Sequence, residues 1–314
     1  MEPELQQLLN CLSDGGRHSG RELAERFGIS RAAVWKRIER LRSLGLAVDA
    51  VPGGGYRLSP PDEWLDADTI QAAMRHPIPV SVVFDIGSTN DALALNPHSP
   101  AALLAETQTA GRGRRGRTWL SPPGSGLYLS LAWSFQSGLG GLGGLSLAAG
   151  LAAAETLRDE GLQAVRLKWP NDLLVKQRKL GGLLVDISGS ADGPCRAIIG
   201  LGLNVRLPKA LVIDQAATDL HQHGLTVGRN ALAGKLISAL VDTCETLDRE
   251  GFGALLPRWQ ALDELAGLPV QATAAHGPAI AGRCCGVDHL GRLGIETDQG
   301  LRWISGGEIS VRRR

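Results

Sequence analysis

Between Gln108 and Trp119 the chain reads QTAGRGRRGRTW, with four arginines and three glycines packed into residues 111–117. Guanidinium forks suit phosphate and carboxylate oxygens through paired, charge-assisted hydrogen bonds. Glycines let backbone amides approach a ligand closely. A polyanionic ligand is the natural match. Gly111, Gly113 and Gly116 satisfy G-x-G-x-x-G, but a dinucleotide fingerprint must open a helix, and Pro122-Pro123-Gly124 follows too soon for one. No G-K-[ST] ends the run, so it is not a P-loop either. A basic loop for RNA or DNA is the alternative reading.

A second cluster is Lys168-Trp169-Pro170-Asn171-Asp172, followed by Lys179-Leu180-Gly181-Gly182. Pro170 ends a strand over Val165–Leu167, which puts Asn171 and Asp172 on a strand-end turn, where sites are commonly built. Lys179 opens the next strand beside two glycines and can point into a pocket. Asp172 offers a carboxylate to magnesium, an ion that takes one or two carboxylates plus phosphate oxygens. An Asn-Asp turn and a solvated hairpin lysine are the plainer readings of the same residues.

The chain that must hold these groups has 314 residues, a length that suggests two or three domains, and 43% of its residues are hydrophobic, enough for a sizeable core. Its net charge of +1 excludes a globally basic coat but not a local patch. No apolar run approaches the ~20 residues of a membrane span. The acidic start MEPELQQLLN is unlike a signal peptide. The five cysteines are odd in number and lack C-x-x-C spacing, which argues for reduced thiols and a cytoplasmic protein.

Residues 1–58 have the signals of a small α/β module. Leu5, Leu8, Leu9 and Leu12 form one helix face. Ser19 and Glu22 form a capping box, Gly28 stops that second helix, and Ser30 caps a third. Val34, Ile38 and Leu41 make the third helix's inner stripe, with Trp35 expected in the core. Arg31, Lys36, Arg37, Arg40 and Arg42 are expected outward. Two extended pieces around Gly53-Gly54-Gly55 complete a winged helix-turn-helix, whose second helix enters the major groove. Asp14 to Leu44 holds eight basic and four acidic residues, an excess of +4 suited to phosphates. A protein-interaction module is the alternative. A linker follows at Pro60-Pro61. Strands over Val80–Phe84, Ala101–Ala105, Leu127–Trp133, Leu183–Ile187 and Ala197–Leu203, with helices over Leu145–Glu160 and Asn230–Glu250, predict a mixed α/β unit. Five short strands from about Pro269 predict a small β-barrel.

Ser88-Thr89-Asn90, the arginine loop, KWPND, KLGG and the late GGEIS together resemble the biotin–protein ligases. The winged helix makes the chain similar to the bifunctional form that is also a biotin-operon repressor. The resemblance covers nearly the whole chain, and GRGRRGR with KWPND is its specific core. It implies an α+β fold: a winged helix-turn-helix over 1–60, a catalytic domain over 66–267 and an SH3-like β-barrel over 268–314. It implies joining of biotin and MgATP as biotinyl-5′-AMP, then transfer to a lysine of the biotin carboxyl carrier protein of acetyl-CoA carboxylase. Ser88, Thr89 and Asn90 would border the biotin rings, with Gln108 at the ureido group. Arg112, Gly113 and Arg114 would close over biotin and its linkage to AMP. Lys179 would contact the biotin carbonyl and the α-phosphate, making Lys179 and Arg114 the catalytic pair. Arg117, Trp119, Asn171 and Asn204 would serve ATP, and Asp172 would help place Mg2+. Ser30, Arg31, Lys36, Arg37 and Arg57 would meet operator DNA, with biotinyl-5′-AMP as co-repressor promoting a homodimer. Asp186 departs from the Glu that the resemblance leads one to expect, at a position with no assigned chemistry. A lipoate ligase, or a ligand-sensing regulator without ligase activity, are the rivals.

Overall fold

The structure is a computed structural model that describes residues 2–51, 54–59, 63–96, 98–190, 193–209, 211–274, 278–306 and 309–313. The expected wing tip at Gly53, the linker prolines, and Gly307 and Glu308 of the GGEIS motif lie outside them.

Helix α1 (Pro3–Leu12) buries the four leucines that its spacing placed on one face. Before α2 (Gly20–Phe27), Ser19 Oγ accepts from Glu22 N at 3.1 Å while Glu22 accepts from Ser19 N at 2.8 Å. Such a cap contributes about 1 kcal/mol. Gly28, at φ 63°, ends the helix in the left-handed region. Ser30 Oγ accepts from Ala33 N and starts α3 (Arg31–Ser43), which buries Val34, Ile38 and Leu41. Strands β1 (Val48–Val51) and β2 (Gly55–Leu58) pair antiparallel as the wing.

Next come α4 (Ala67–Ala72), β3 (Val80–Ile86), α5 (Thr89–Leu95), β4 (Ala101–Gln108) and β5 (Gly126–Phe135). They lead to α6 (Leu145–Asp159), β6 (Val165–Lys168), β7 (Asp172–Val175), β8 (Arg178–Gly189) and β9 (Cys195–Asn204). The long α7 (Arg229–Glu250) and short α8 (Leu256–Ala261) close this unit. Its seven-stranded sheet runs β3-β4-β5-β9-β8-β7-β6, and only β3–β4 is parallel. Alternation sorts the faces. Ala102 and Leu104 enter the main core with α6 and α7, whereas Ala101 and Leu103 pack with Leu93 of α5.

Strands β10 (Pro269–Ala274), β11 (Ile280–Val287), β12 (Leu293–Thr297), β13 (Gly300–Ile304) and β14 (Ile309–Arg313) form the C-terminal antiparallel sheet, in the order β13-β12-β11-β10-β14. Val270, Cys284, Leu293, Ile295 and Val311 belong to the same continuous core as the central sheet.

A buried ion pair fastens the start of the central unit. Arg229 Nη1 and Nη2 each donate to a Glu106 carboxylate oxygen at 2.9 Å, with both residues under 5% exposed. Glu106 also accepts from Leu65 N, and Arg229 donates to the Glu63 carbonyl and, at 3.1 Å, to the Gly126 carbonyl. Asn230 adds bonds to Glu63, Trp64 and Asp66, each at 2.9 Å. Residues 63–66 are thereby held to Glu106, two residues before β4 ends at Gln108.

Candidate functional site

A cavity of about 940 Å³ opens on the sheet beside the ends of β4, β6 and β9, and it gathers every residue expected to touch a small ligand. Its polar wall is built on α5. Ser88 caps that helix by accepting from Asp91 N. Gln108 Oε1 accepts from Thr89 N at 2.9 Å and from Thr89 Oγ1 at 3.1 Å. Ser130, on β5, donates to Thr89 Oγ1 at 2.7 Å and lies 2.6 Å from Asn90 Oδ1. Asn90 Nδ2 donates to Asp186 at 2.9 Å. Ser88, Thr89, Asn90 and Ser130 are all buried. These are neutral donors and acceptors already locked in place, suited to a polar but uncharged group.

The arginine loop covers this wall. Gly113 N donates to the Arg117 carbonyl at 2.7 Å and Trp119 N to the Gly111 carbonyl at 2.8 Å, so the segment folds back on itself. Arg112 is bound to Asp91 at 2.6 Å and to Asp186 at 2.8 Å. Asp186, assigned no chemistry from sequence, therefore steadies both Asn90 and the loop. Arg114 Nη1 reaches Asn171 Oδ1 at 3.4 Å. Burial lowers the Arg114 pKa, against the opposing pull of Asp172.

The cationic wall stands on the β6–β7–β8 turns. Trp169, buried and bonded to the Gly291 carbonyl at 3.0 Å, anchors the turn, and its peptide to Pro170 is cis. Asp172 begins β7 directly across from Lys168. Burial is the largest influence on Lys168 and lowers its pKa; Asp172 opposes this, while Lys179, Arg312 and Arg117 add to it. Lys179 Nζ lies 2.7 Å from Asp172 Oδ1 and 5.4 Å from the Trp119 ring centre. Gly182 leaves it room, since a Cβ there would sit 3.3 Å from the Lys179 Cε. Lys179 N donates to the Ala216 carbonyl and Thr218 N to the Lys179 carbonyl, so residues 216–218 clamp its backbone. Asn204 Nδ2 donates to the Thr218 carbonyl at 3.0 Å and lines the same space.

Sequence reasoning missed Ser130, residues 212–217 and Gly202. A Cβ on Gly202 would lie 2.5 Å from the Trp119 ring, so only glycine lets that indole lie flat on β9. A serine within an apolar strand gave no local signal, and the glycine's neighbour is 83 positions away.

The cavity lining holds two carboxylates, Asp172 and Asp214, and no cluster of three or more metal-ligating side chains occurs among the described residues. That set is too small for a resident ion. It fits magnesium carried in with most of its ligands from phosphate and water.

On the winged helix, Ser30, Arg31, Lys36 and Arg57 are exposed, as a nucleic-acid face requires. Arg37 is not free on that face: it pairs with Glu4 of α1 at 3.3 Å. Arg42 is likewise held, by Glu39 at 2.6 Å and by the Val48 carbonyl at 2.8 Å. Trp35, expected in the core, is 53% exposed, because Val34, Ile38 and Leu41 already fill the inner face. No helix among the described residues is long and apolar enough to cross a membrane.

This arrangement is that of an enzyme joining a carboxylate to a nucleotide, carried on the same chain as a helix-turn-helix. The chain belongs to the biotin/lipoate A/B protein ligase family, whose model matches residues 85–204, and a helix-turn-helix model matches residues 4–57. It is 42% identical to the bifunctional ligase/repressor BirA of Salmonella typhimurium, over 97% of this chain and 96% of that one. The Escherichia coli protein of the same name is 40% identical, over 98% and 96%. Among solved structures, the biotin protein ligase of Aquifex aeolicus in complex with biotin and ATP is 28% identical with a TM-score of 0.65, covering 75% of this chain and 99% of that one.

Proposed function

We propose that the chain condenses biotin with ATP to biotinyl-5′-AMP and pyrophosphate, then transfers biotin to a lysine of a biotin carboxyl carrier protein in the cytoplasm. The observation that carries this reading is the pairing of a neutral hydrogen-bonding wall with a cationic wall in one cavity. The first suits a ureido ring. The second suits a carboxylate meeting a triphosphate.

Ser88, Thr89, Asn90 and Gln108 hold the ring end, which aims the carboxylate toward Lys179. A carboxylate oxygen attacks the α-phosphorus and pyrophosphate leaves, so the nucleophile needs no general base. Arg114, Arg117 and Lys179 stabilise the negative charge that accumulates there. Trp119, Asn171 and Asn204 take the nucleotide base and sugar. Magnesium, when bound beside Asp172, neutralises charge on the phosphates. Arg112 and Gly113 keep water from the mixed anhydride until the acceptor amine attacks its acyl carbon and AMP departs.

The same adenylate is the co-repressor in this reading. Ordering the arginine loop around it favours a homodimer whose two winged helices bind operator DNA upstream of biotin-synthesis genes. ATP–pyrophosphate exchange run with biotin and then with lipoate tests the ligase. Exchange driven by biotin alone is expected, and equal exchange with lipoate would move the chain to the rival substrate. Promoter binding measured without ligand, with biotin, and with biotin plus MgATP, alongside sedimentation, tests the repressor. Equal affinity in all three, or tight specific binding by a monomer, would overturn it.

A further inference from the structure

Helix α3 shows solvent a side chain that neither the fold nor the catalytic reading uses. Trp35 is 53% exposed. Arg31 and Ala32 lie one turn before it and Lys36 beside it, all of them exposed. Ser30 caps the helix, so these residues make up its first two turns. In helix-turn-helix proteins that end of the second helix contacts base edges. Glu39, the only acid on α3, is held by Arg42 at 2.6 Å, which leaves the surface around Trp35 cationic.

That combination selects among partners. An apolar protein surface would have to desolvate the flanking cations without neutralising them. The major groove offers phosphates for the cations and one apolar feature, the thymine 5-methyl group. An indole carries a single N–H donor and no acceptor, so its broad face suits a methyl better than the donor–acceptor code. We propose that Trp35 is a sequence-reading residue that lays its indole against a thymine methyl in the major groove, between contacts made by Arg31 and Lys36. The proposal rests on the repressor reading above and names a determinant of its specificity.

The test begins with the full chain, biotin and MgATP, and a pool of duplexes with randomised centres. The parent selects its preferred duplex. Each thymine of that duplex is then replaced by deoxyuridine, which removes only the methyl. At one position per half-site the parent should lose about four-fold in affinity, the effect of one buried methyl group. Trp35→Ala should bind the selected duplex at least that much more weakly and show no uracil effect. Trp35→Phe should recover part of both. The salt dependence should be unchanged, because no charge is removed. The thermal midpoint of Trp35→Ala should match the parent, since the ring packs outside the core. Undiminished uracil sensitivity in Trp35→Ala, parental affinity in that variant, or a change in its oligomeric state alone would overturn the proposal. Failure of the parent to select any duplex would instead overturn the repressor reading on which it stands.

Discussion

Replacing Lys179 by alanine removes the cation that the cavity places most deliberately. Its side chain is 16% exposed, so water does little to screen the charge, and its ammonium sits 2.7 Å from Asp172. Two effects follow. The attacking carboxylate and the α-phosphate lose a positioned positive charge, and the Asp172 carboxylate loses its partner and faces two anionic substrates. Removing one preorganised electrostatic group commonly costs 10²–10³ in rate, or about 2.7–4 kcal/mol. Arg114, Lys168 and Arg117 remain nearby and offset part of the loss. The expected drop in biotin-dependent pyrophosphate exchange is therefore about 10² in kcat, with a smaller change in KM for biotin, whose ring contacts lie on the opposite wall. Lys179→Arg should retain more activity than Lys179→Ala, because it keeps the charge. Exchange within about threefold of the parent for Lys179→Ala would refute the assignment of the charge-stabilising role.

Arg114→Gly should leave the fold intact but release biotinyl-5′-AMP, seen as biotin on bystander lysines; labelling confined to the carrier protein would show that Arg114 is not a clamp. Gly202→Ala places a methyl 2.5 Å from the Trp119 ring and must push the indole off β9. KM for ATP should rise by up to about 10²-fold with little change in biotin affinity, the usual scale for a misplacement near 1 Å; an unchanged KM for ATP would separate Trp119 from the nucleotide. Burial raises Asp263 to a pKa of about 6, from 3.8. Between those values the unfolded chain gives up a proton that the folded chain keeps, so stability falls as pH rises from about 4 to about 6. Asp263→Asn should flatten that slope and gain at most about 3 kcal/mol at pH 7 in urea unfolding; parallel pH profiles for parent and variant would contradict it.

Local chemistry was legible wherever one stretch of chain held all the information. The capping box at Ser19 and Glu22, the stop at Gly28 and the hairpin lysine at 179 each depend on neighbours within a few residues. Helix α5 escaped although Ser88 and Asp91 mark its start, because seven residues carry too little periodicity to declare a helix. Ser130 and Gly202 were invisible for a different reason. Their meaning comes from Thr89, Asn90 and Trp119, which chain folding alone brings near. Trp35 went the other way. Size and apolarity argue for burial, yet three smaller side chains had already filled the only inward stripe on α3. Arg37 and Arg42 look like free cations in the sequence, and each proves to have an anionic partner close to its own helix.

The pairing of Arg229 with Glu106 bears on how the two functions could be divided between separate polypeptides. A catalytic fragment begun after Asp66 would delete the Leu65 amide and the Glu63 carbonyl, both of which bond this pair. Asn230 would also lose its partners at Glu63 and Trp64. The cut would uncover these groups to solvent and exchange each lost protein bond for one to water, at about 0.5–1.5 kcal/mol apiece. The strand so loosened is the one that delivers Gln108. A transplantable ligase must therefore start upstream of Glu63, and a few residues that look like a spacer travel with the enzyme as part of its foundation.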